Sequence, residues 1–173
     1  LPISFGALLM ARYHRVKGDY ATADTWFQRS REYDPYSPVI AQEYGFFLND
    51  QGRRDEAIDQ LDSSASLAPD DAVYPFQKAL IYSEMGSMGK AEDAFRDSIA
   101  RNPEFARAHY NLGLLLNQRD RVLEAIESLI AAEAADPSNP EYPYALATVY
   151  LNHGQPGEAG DAAIRALQVA PNY

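Results

Sequence analysis

Residues 45–69 read GFFLNDQGRRDEAIDQLDSSASLAP, and this order of small residue, glycine, alanine and closing proline recurs along the chain. Five prolines stand at equal intervals, at Pro35, Pro69, Pro103, Pro137 and Pro171. When the proline is counted as position 32 of a repeat, position 20 is alanine in all five repeats and position 8 is always Ala or Gly. The chain of 173 residues is therefore a tandem array of five repeats.

The small residues predict pairs of closely packed helices, because two antiparallel helices approach closely only where a side chain at the crossing is small. Position 20 is Ala23, Ala57, Ala91, Ala125 and Ala159, and position 8 is Ala11, Gly45, Ala79, Gly113 and Ala147. Position 24 supplies a bulky residue in four repeats, at Phe27, Leu61, Phe95 and Leu129. Each of these four repeats thus combines small residues at positions 8 and 20 with a bulky residue at position 24.

A 34-residue period with these small residues and a closing proline resembles the tetratricopeptide repeat over essentially the whole chain. The resemblance implies an all-α fold, a right-handed α-solenoid of five helix-turn-helix repeats with about ten antiparallel helices. It also implies one array over residues 1–173. The repeats are expected near 4–37, 38–71, 72–105, 106–139 and 140–173.

Glycines and caps mark the expected helix ends. Gly18, Gly52, Gly86 and Gly154 hold the turn position between the two helices of a repeat, where glycine is a typical C-terminal stop. Asp120 stands there in the fourth repeat, and Asp tolerates a left-handed backbone better than most residues. Side-chain acceptors that cap the next helix are expected at Ser37, Asp71 and Asn139.

Charge and composition narrow the classes of partner. The formal net charge is −10, with five Lys/Arg and four Asp/Glu in residues 1–35 and ten against twenty-one in the remainder. This field repels phosphate, so we expect no nucleic-acid partner and favour a neutral to basic one. The alternative is that the acidic residues only keep the array soluble. No apolar run is long enough to span a bilayer, so a soluble chain without a direct membrane span is predicted.

The sequence shows no pattern of catalysis or metal binding. His14, His109 and His153 occupy different repeat positions without ligand spacing, and no phosphate-binding loop or dinucleotide fingerprint is present. Carboxylate pairs such as Asp55/Glu56 occur at helix starts, where they complement the helix dipole. We expect no enzyme activity, catalytic residue, metal or cofactor. Cysteine is absent, which leaves both the cytoplasm, taken as the default, and the periplasm open.

The resemblance implies a binding groove lined by the first helix of every repeat at positions 2, 5, 9, 12 and 13. Helical spacing independently puts these positions on one face. Aromatic and aliphatic residues edged with amides suit an extended peptide. The opposing interpretation is that these rings pack against the neighbouring helix. The candidate peptide-binding residues are Gln42, Phe46, Asn49, Asp50, Phe76, Leu80, Glu84, Arg107, Tyr110, Asn111, Leu114, Asn117, Tyr144 and Thr148.

Two binding modes of the family do not transfer to this chain. A carboxylate clamp for chaperone C-terminal tails needs Lys and Asn at positions 5 and 9, which are Gln42 and Phe46 in the second repeat. Only Arg107 and Asn111 resemble any part of it. The asparagine ladder with which sugar-transferase members hold a peptide backbone is represented by Asn111 alone.

The fifth repeat departs most from the pattern. Ala163 replaces the bulky residue at position 24, Gly160 lies inside the second helix, and only Asn172 and Tyr173 follow Pro171. We therefore expect either a chain cut from a longer protein, consistent with the first residue being Leu1, or a homo-oligomer through the C-terminal end. The favoured function is a non-catalytic protein-interaction module. A structural spacer that associates through its ends and an appendage to an enzyme are the alternatives.

Overall fold

The computed structural model describes residues 2–171, and the described part of the chain forms ten α-helices and no β-strand. Asn172 and Tyr173, on which the prediction of an uncapped end partly rests, lie outside it, as does Leu1. The prediction of about ten helices is confirmed. The helices are α1 Ile3–Val16, α2 Tyr20–Tyr33, α3 Pro38–Asp50, α4 Arg54–Leu67, α5 Val73–Glu84, α6 Met88–Arg101, α7 Ala106–Gln118, α8 Val122–Ala135, α9 Glu141–Asn152 and α10 Pro156–Val169.

The chain divides between Glu84 and Met85 into two compact units, which we call unit N (α1–α5) and unit C (α6–α10). The extent of the array as one domain stays a prediction. In unit N, α1 packs against α2 and α3 against α4, and in unit C α7 packs against α8 and α9 against α10. These pairs are the helical hairpins that the small residues predict.

The core of unit N is built around aromatic rings from two hairpins. The Phe27 ring lies 4.9 Å from that of Phe47 and 5.4 Å from that of Tyr44, measured between centroids. Ala23 and Ala57, both at position 20, are completely buried beside them. In unit C the corresponding core contains Leu129, Leu146 and Val149. The positions that recur in every repeat therefore form the interior.

The turns between paired helices carry the expected left-handed residues. The backbone φ is 76° at Gly18 and at Gly52, and Asp120 has φ 61°. At the end of α1, Gly18 N donates to Arg15 O at 3.0 Å and Asp19 N donates to His14 O at 2.9 Å, which together form a Schellman motif. The assignment of Asp120 to the glycine position is confirmed.

Two of the predicted caps lie one residue earlier than expected relative to their helices. Ser37 Oγ accepts from Ile40 N, as expected for an N-cap. Asn139 Oδ1 accepts from Glu141 N at 3.0 Å, but Pro140 rather than Asn139 is the N-cap residue of α9. Asp71 Oδ1 likewise accepts from Val73 N, the first residue of α5. These two side chains order the turn that enters the helix.

Glycine at position 8 occurs in the repeats that carry leucine at position 24. A Cβ on Gly113 would lie 2.8 Å from Leu129 Cγ and 3.1 Å from Ala125 O. At Gly45 the corresponding distances are 3.5 Å to Leu61 Cγ and 3.2 Å to the carbonyl oxygen of Ala57. The second and fourth repeats therefore place leucine against glycine.

A second alternating feature is an arginine that joins two successive repeats, which we call the arginine clasp. In unit N, Arg53 donates to Glu56 in its own repeat and to Asp24 in the preceding one, each at 2.7 Å. Both hydrogen bonds raise the pKa of Arg53, and the one to Glu56 has the larger effect. The clasp of unit C, two repeats later, consists of Arg121, Glu124 and Glu92.

Candidate functional site

The first-helix face of unit N is crossed by side-chain pairs between neighbouring first helices. Arg12 of α1 binds Glu43 of α3 through both Nε, at 2.7 Å, and Nη2. Hydrogen bonding to Glu43 raises the pKa of Arg12, and this effect exceeds the lowering that the partial burial of Arg12 causes. Arg15 of α1 forms an ion pair with Asp50 of α3. The charge of Asp50 is thus engaged within the unit.

The amides of α3 are half-buried. Gln42 donates from Nε2 to Gln77 Oε1 of α5 at 3.2 Å. The side-chain oxygen of Asn49, Oδ1, is buried and has no hydrogen-bond partner among the described residues. Between these amides the Phe46 ring is 37% exposed, so it offers apolar area to a partner. Phe46 therefore keeps exposed apolar surface on α3, and Asn49 carries a buried side-chain oxygen that no described residue satisfies.

Phe76 departs from the expectation of an exposed anchor. Its side chain is only 3% exposed, so the packing of the helices leaves it almost no surface for a partner. The neighbouring candidate on α5, Leu80, is half-buried. Glu84 is exposed and lies 3.8 Å from Arg54. For Phe76 the interpretation that the ring packs inside the fold is the correct one, and it is removed from the set of anchors.

The first-helix face of unit C contains a cavity of about 480 Å³ beside the first turns of α7 and α9. Arg107, Tyr110 and Asn111 of α7 line it, opposite Glu141 and Tyr142 of α9. The Tyr110 and Tyr142 rings pack at 5.2 Å with a tilt of 50°. Asn111 Nδ2 donates to Arg107 O at 2.8 Å. This cavity brings three predicted residues together.

Beyond the cavity, apolar side chains of unit C remain exposed on the same helices. Tyr144 of α9 is 56% exposed and Leu114 of α7 is 39% exposed. Thr148 donates its hydroxyl to Tyr144 O at 3.0 Å, and Asn117 Oδ1 lies 3.3 Å from His153 Nε2. Tyr144 and Leu114 therefore expose apolar area, whereas Thr148 is hydrogen-bonded within α9 and Asn117 contacts the residue that follows α9.

Sequence reasoning missed the ion pairs of α1 and the role of Tyr142 as a cavity wall. The acidic partners Glu43 and Asp50 stand 31 and 35 residues after Arg12 and Arg15. Spacings close to one repeat were the signal that could have identified the pairs. Tyr142 follows a turn proline and is buried against α7, which only tertiary contacts reveal.

Residues 2–171 lack the features of a metal centre and of a membrane span. This part of the chain contains no group of three or more His, Asp or Glu side chains that could hold a metal ion. None of its helices has both the length and the apolar character needed to cross a membrane.

Helical hairpins recur along the described part of the chain, at α1–α2, α3–α4, α7–α8 and α9–α10, and define an all-α helical-repeat protein. Residues 76–140 match the family model described as tetratricopeptide repeat. A crystal structure of MamA superposes on the chain with a TM-score of 0.81 at 23% identity, over 94% of this chain and 95% of that one. The resemblance to the tetratricopeptide-repeat family is therefore confirmed, and the fold class is the α-solenoid of these repeats. This scaffold is typical of protein-interaction modules and is generally non-enzymatic.

Two other proteins show the range of the similarity. YrrB, described as a TPR protein with an unusual peptide-binding site, has a TM-score of 0.73 at 14% identity over 96% of this chain and 86% of its own. The human protein O-mannosyl-transferase TMTC3 is 30% identical over 112 residues, which are 64% of this chain. That segment is 12% of the human protein, so the chain spans a small part of this curated relative.

Proposed function

We propose that this chain is a non-catalytic module that binds a peptide or protein segment on the faces formed by the first helices of its repeats. The observation that carries the proposal is the cavity of about 480 Å³ in unit C, in which Arg107, Tyr110 and Asn111 converge. Because Asn111 uses Nδ2 within its own helix, Oδ1 is the atom left to accept from a peptide N–H. Tyr144 and Leu114 add exposed apolar area beside it.

In unit N, we propose that the Phe46 ring supplies the apolar contact to the peptide and that the Asn49 side chain supplies the amide acceptor. The Asn49 amide would turn outward so that Oδ1 can accept, and this oxygen gives up no hydrogen bond to a described residue when it does so. An aromatic ring next to an amide acceptor suits a peptide with one apolar side chain and an available backbone N–H.

Charge and similarity limit the partner that we propose. The net charge of −10 favours a neutral to basic partner. The activity in the human relative's name belongs to a protein of which 12% is matched, so we propose the interaction role alone.

The test begins with a random peptide library selected on the purified chain, followed by titration of one selected peptide. We expect Tyr144→Ala to weaken that peptide about tenfold, because an exposed aromatic anchor is lost. Tyr36→Ala is the matched control, since Tyr36 is 79% exposed in the turn before α3. Equal affinities of the two variants would reject the assignment of the face. Phe76→Ala is unsuitable, because it would empty a buried site at a cost of about 3–5 kcal/mol.

A second candidate function is assembly through the ends, with a second copy of the chain as the occupant. At position 10 the side chains Phe47, Ile81, Leu115 and Val149 are at most 5% exposed, whereas Tyr13 of α1 is 53% exposed. On α10, Ile164 and Leu167 are 55% and 50% exposed. The α10 face of one copy would cover the α1 face of the next.

Light scattering over a range of protein concentrations tests this second function. Association that Leu167→Glu abolishes and Tyr144→Ala leaves intact would support it. A monomer at every concentration would exclude it.

A further inference from the structure

The second-helix side of unit C contains a groove between α8 and α10 that crosses over α9, with a cavity of about 460 Å³. Its apolar wall consists of Ile130, which is 47% exposed, together with Leu146 and Tyr150. This groove is lined by none of the peptide-binding candidates of the first-helix face. It is a separate concave surface of the unit.

The groove already holds one guanidinium group that comes from the chain itself. Arg165 Nε lies 2.6 Å from Glu133 Oε1, and Arg165 Nη2 lies 3.1 Å from Glu133 Oε2. This two-point pairing joins α10 to α8. Glu158 and Asp161 also line the cavity, so it contains three carboxylates and one cation. Two negative charges thus remain after Arg165 has been counted against Glu133.

A related groove one repeat earlier has a balanced charge. It lies between α6 and α8 over α7, has a volume of about 380 Å³, and is lined by Arg96 and Glu127 among others. Arg96 of this groove occupies the same repeat position as Ile130 of the groove over α9. Glu127 likewise occupies the same repeat position as Asp161. Each groove is lined by one arginine, but the groove over α9 has three carboxylates where the earlier groove has one. Its excess of negative charge is therefore a local property and not one of every groove.

We propose that the groove over α9 binds an arginine side chain of a basic peptide segment. The methylene groups of the arginine pack against Ile130 and the ring of Tyr150, which also attracts a cation over its face. The guanidinium pairs with Glu158 and Asp161, as Arg165 does with Glu133. Arginine fits better than lysine, because its planar fork can bind a carboxylate through two hydrogen bonds.

The test uses the full chain and the peptide Gly-Leu-Arg-Arg-Gly, labelled with rhodamine at its N-terminus and titrated by fluorescence anisotropy. The double variant Glu158→Gln, Asp161→Asn is expected to bind this peptide about tenfold more weakly than the natural chain. A peptide with citrulline in place of arginine keeps the shape without the charge and should show a similar loss. Far-UV circular dichroism checks that the variant keeps its helices.

The matched control is Glu127→Gln in the balanced groove, for which less than about a twofold change is expected. An equal loss in this control would overturn the proposal, since the peptide would then be attracted only by the overall negative charge. Unchanged binding by the double variant would also overturn it. Tyr36→Ala, which lies on neither binding surface, should leave binding of this peptide unchanged. The double variant should bind the library-selected peptide of the first-helix face as the natural chain does, which separates failure of this site from failure of that face.

Discussion

Substitution of Gly113 by alanine should destabilise the protein, although alanine favours helices over glycine by about 1 kcal/mol. The new Cβ would lie 2.8 Å from Leu129 Cγ, 3.0 Å from Leu129 Cδ2 and 3.1 Å from the carbonyl oxygen of Ala125. The carbonyl belongs to helix backbone and cannot move aside cheaply. Overpacking of this kind costs about 1–3 kcal/mol, so a net loss of about 1 kcal/mol in the free energy of unfolding is expected.

Gly160 offers the matched control within the same unit. It also lies inside a helix, but a Cβ there would have no atom within 4 Å. Gly160→Ala should therefore stabilise the protein by about 1 kcal/mol. Denaturant unfolding followed by far-UV circular dichroism measures both variants, and the difference between them reports the overpacking against Leu129. A stabilisation of equal size in both would refute the reasoning.

A double-mutant cycle sharpens the same prediction. Leu129 is completely buried, so Leu129→Ala alone should cost about 2–5 kcal/mol. In that background the clash with Leu129 Cγ and Cδ2 is gone, whereas the contact with the carbonyl oxygen of Ala125 remains. Gly113→Ala should then be closer to neutral or stabilising than in the natural chain.

Three further results are expected. Asp120→Gly should stabilise unit C by about 1 kcal/mol, because φ is 61° there and glycine adopts it without strain; urea unfolding measures this, and a loss of stability would contradict it. Burial raises the pKa of Glu92, but hydrogen bonds from Arg121 and Arg96 to the carboxylate have the larger combined effect. The pKa therefore lies below its ordinary value of 4.5. The stabilisation is therefore present above pH 4.5 and lost as the pH falls through the folded-state pKa, so unfolding free energies of Glu92→Gln should decline less on acidification; an unchanged decline would contradict this. Ser64→Ala should cost about 1 kcal/mol, because Ser64 Oγ donates to Pro38 O at 3.0 Å, and thermal unfolding at the natural stability would count against it.

The repeat positions explain why the helices and turns could be predicted from sequence. Gly18 and Gly52 stand in the turns, and their left-handed backbone is a local requirement that the residue type reveals. Ala23 and Ala57 are completely buried because they lie where two helices cross, and the recurrence of alanine at this position made that predictable. Such features depend on contacts within one repeat or with a similar neighbour, so periodicity was sufficient.

The candidate faces were less predictable, because exposure depends on which side chains the adjacent repeat supplies. Phe46 and Phe76 belong to the same predicted face, yet the first is 37% exposed and the second 3%. The pairing of Arg12 with Glu43 also depends on the relative positions of α1 and α3. Helical spacing identifies the face, but the packing of neighbouring helices decides which of its residues reach a partner.

The arginine clasp makes a pair of repeats the natural unit for editing this chain. Arg53 and Arg121 occupy the same position in the second and fourth repeats, and each requires an acidic residue in the repeat before it. If the third repeat alone were excised, the repeat with Arg121 would directly follow the second repeat. The second repeat has Ile58 at the position that Asp24 and Glu92 occupy in the first and third, so Arg121 would lose the acidic partner that the preceding repeat supplies. Shortening or lengthening the chain by two successive repeats keeps every clasp supplied, so engineered versions are best made in whole pairs.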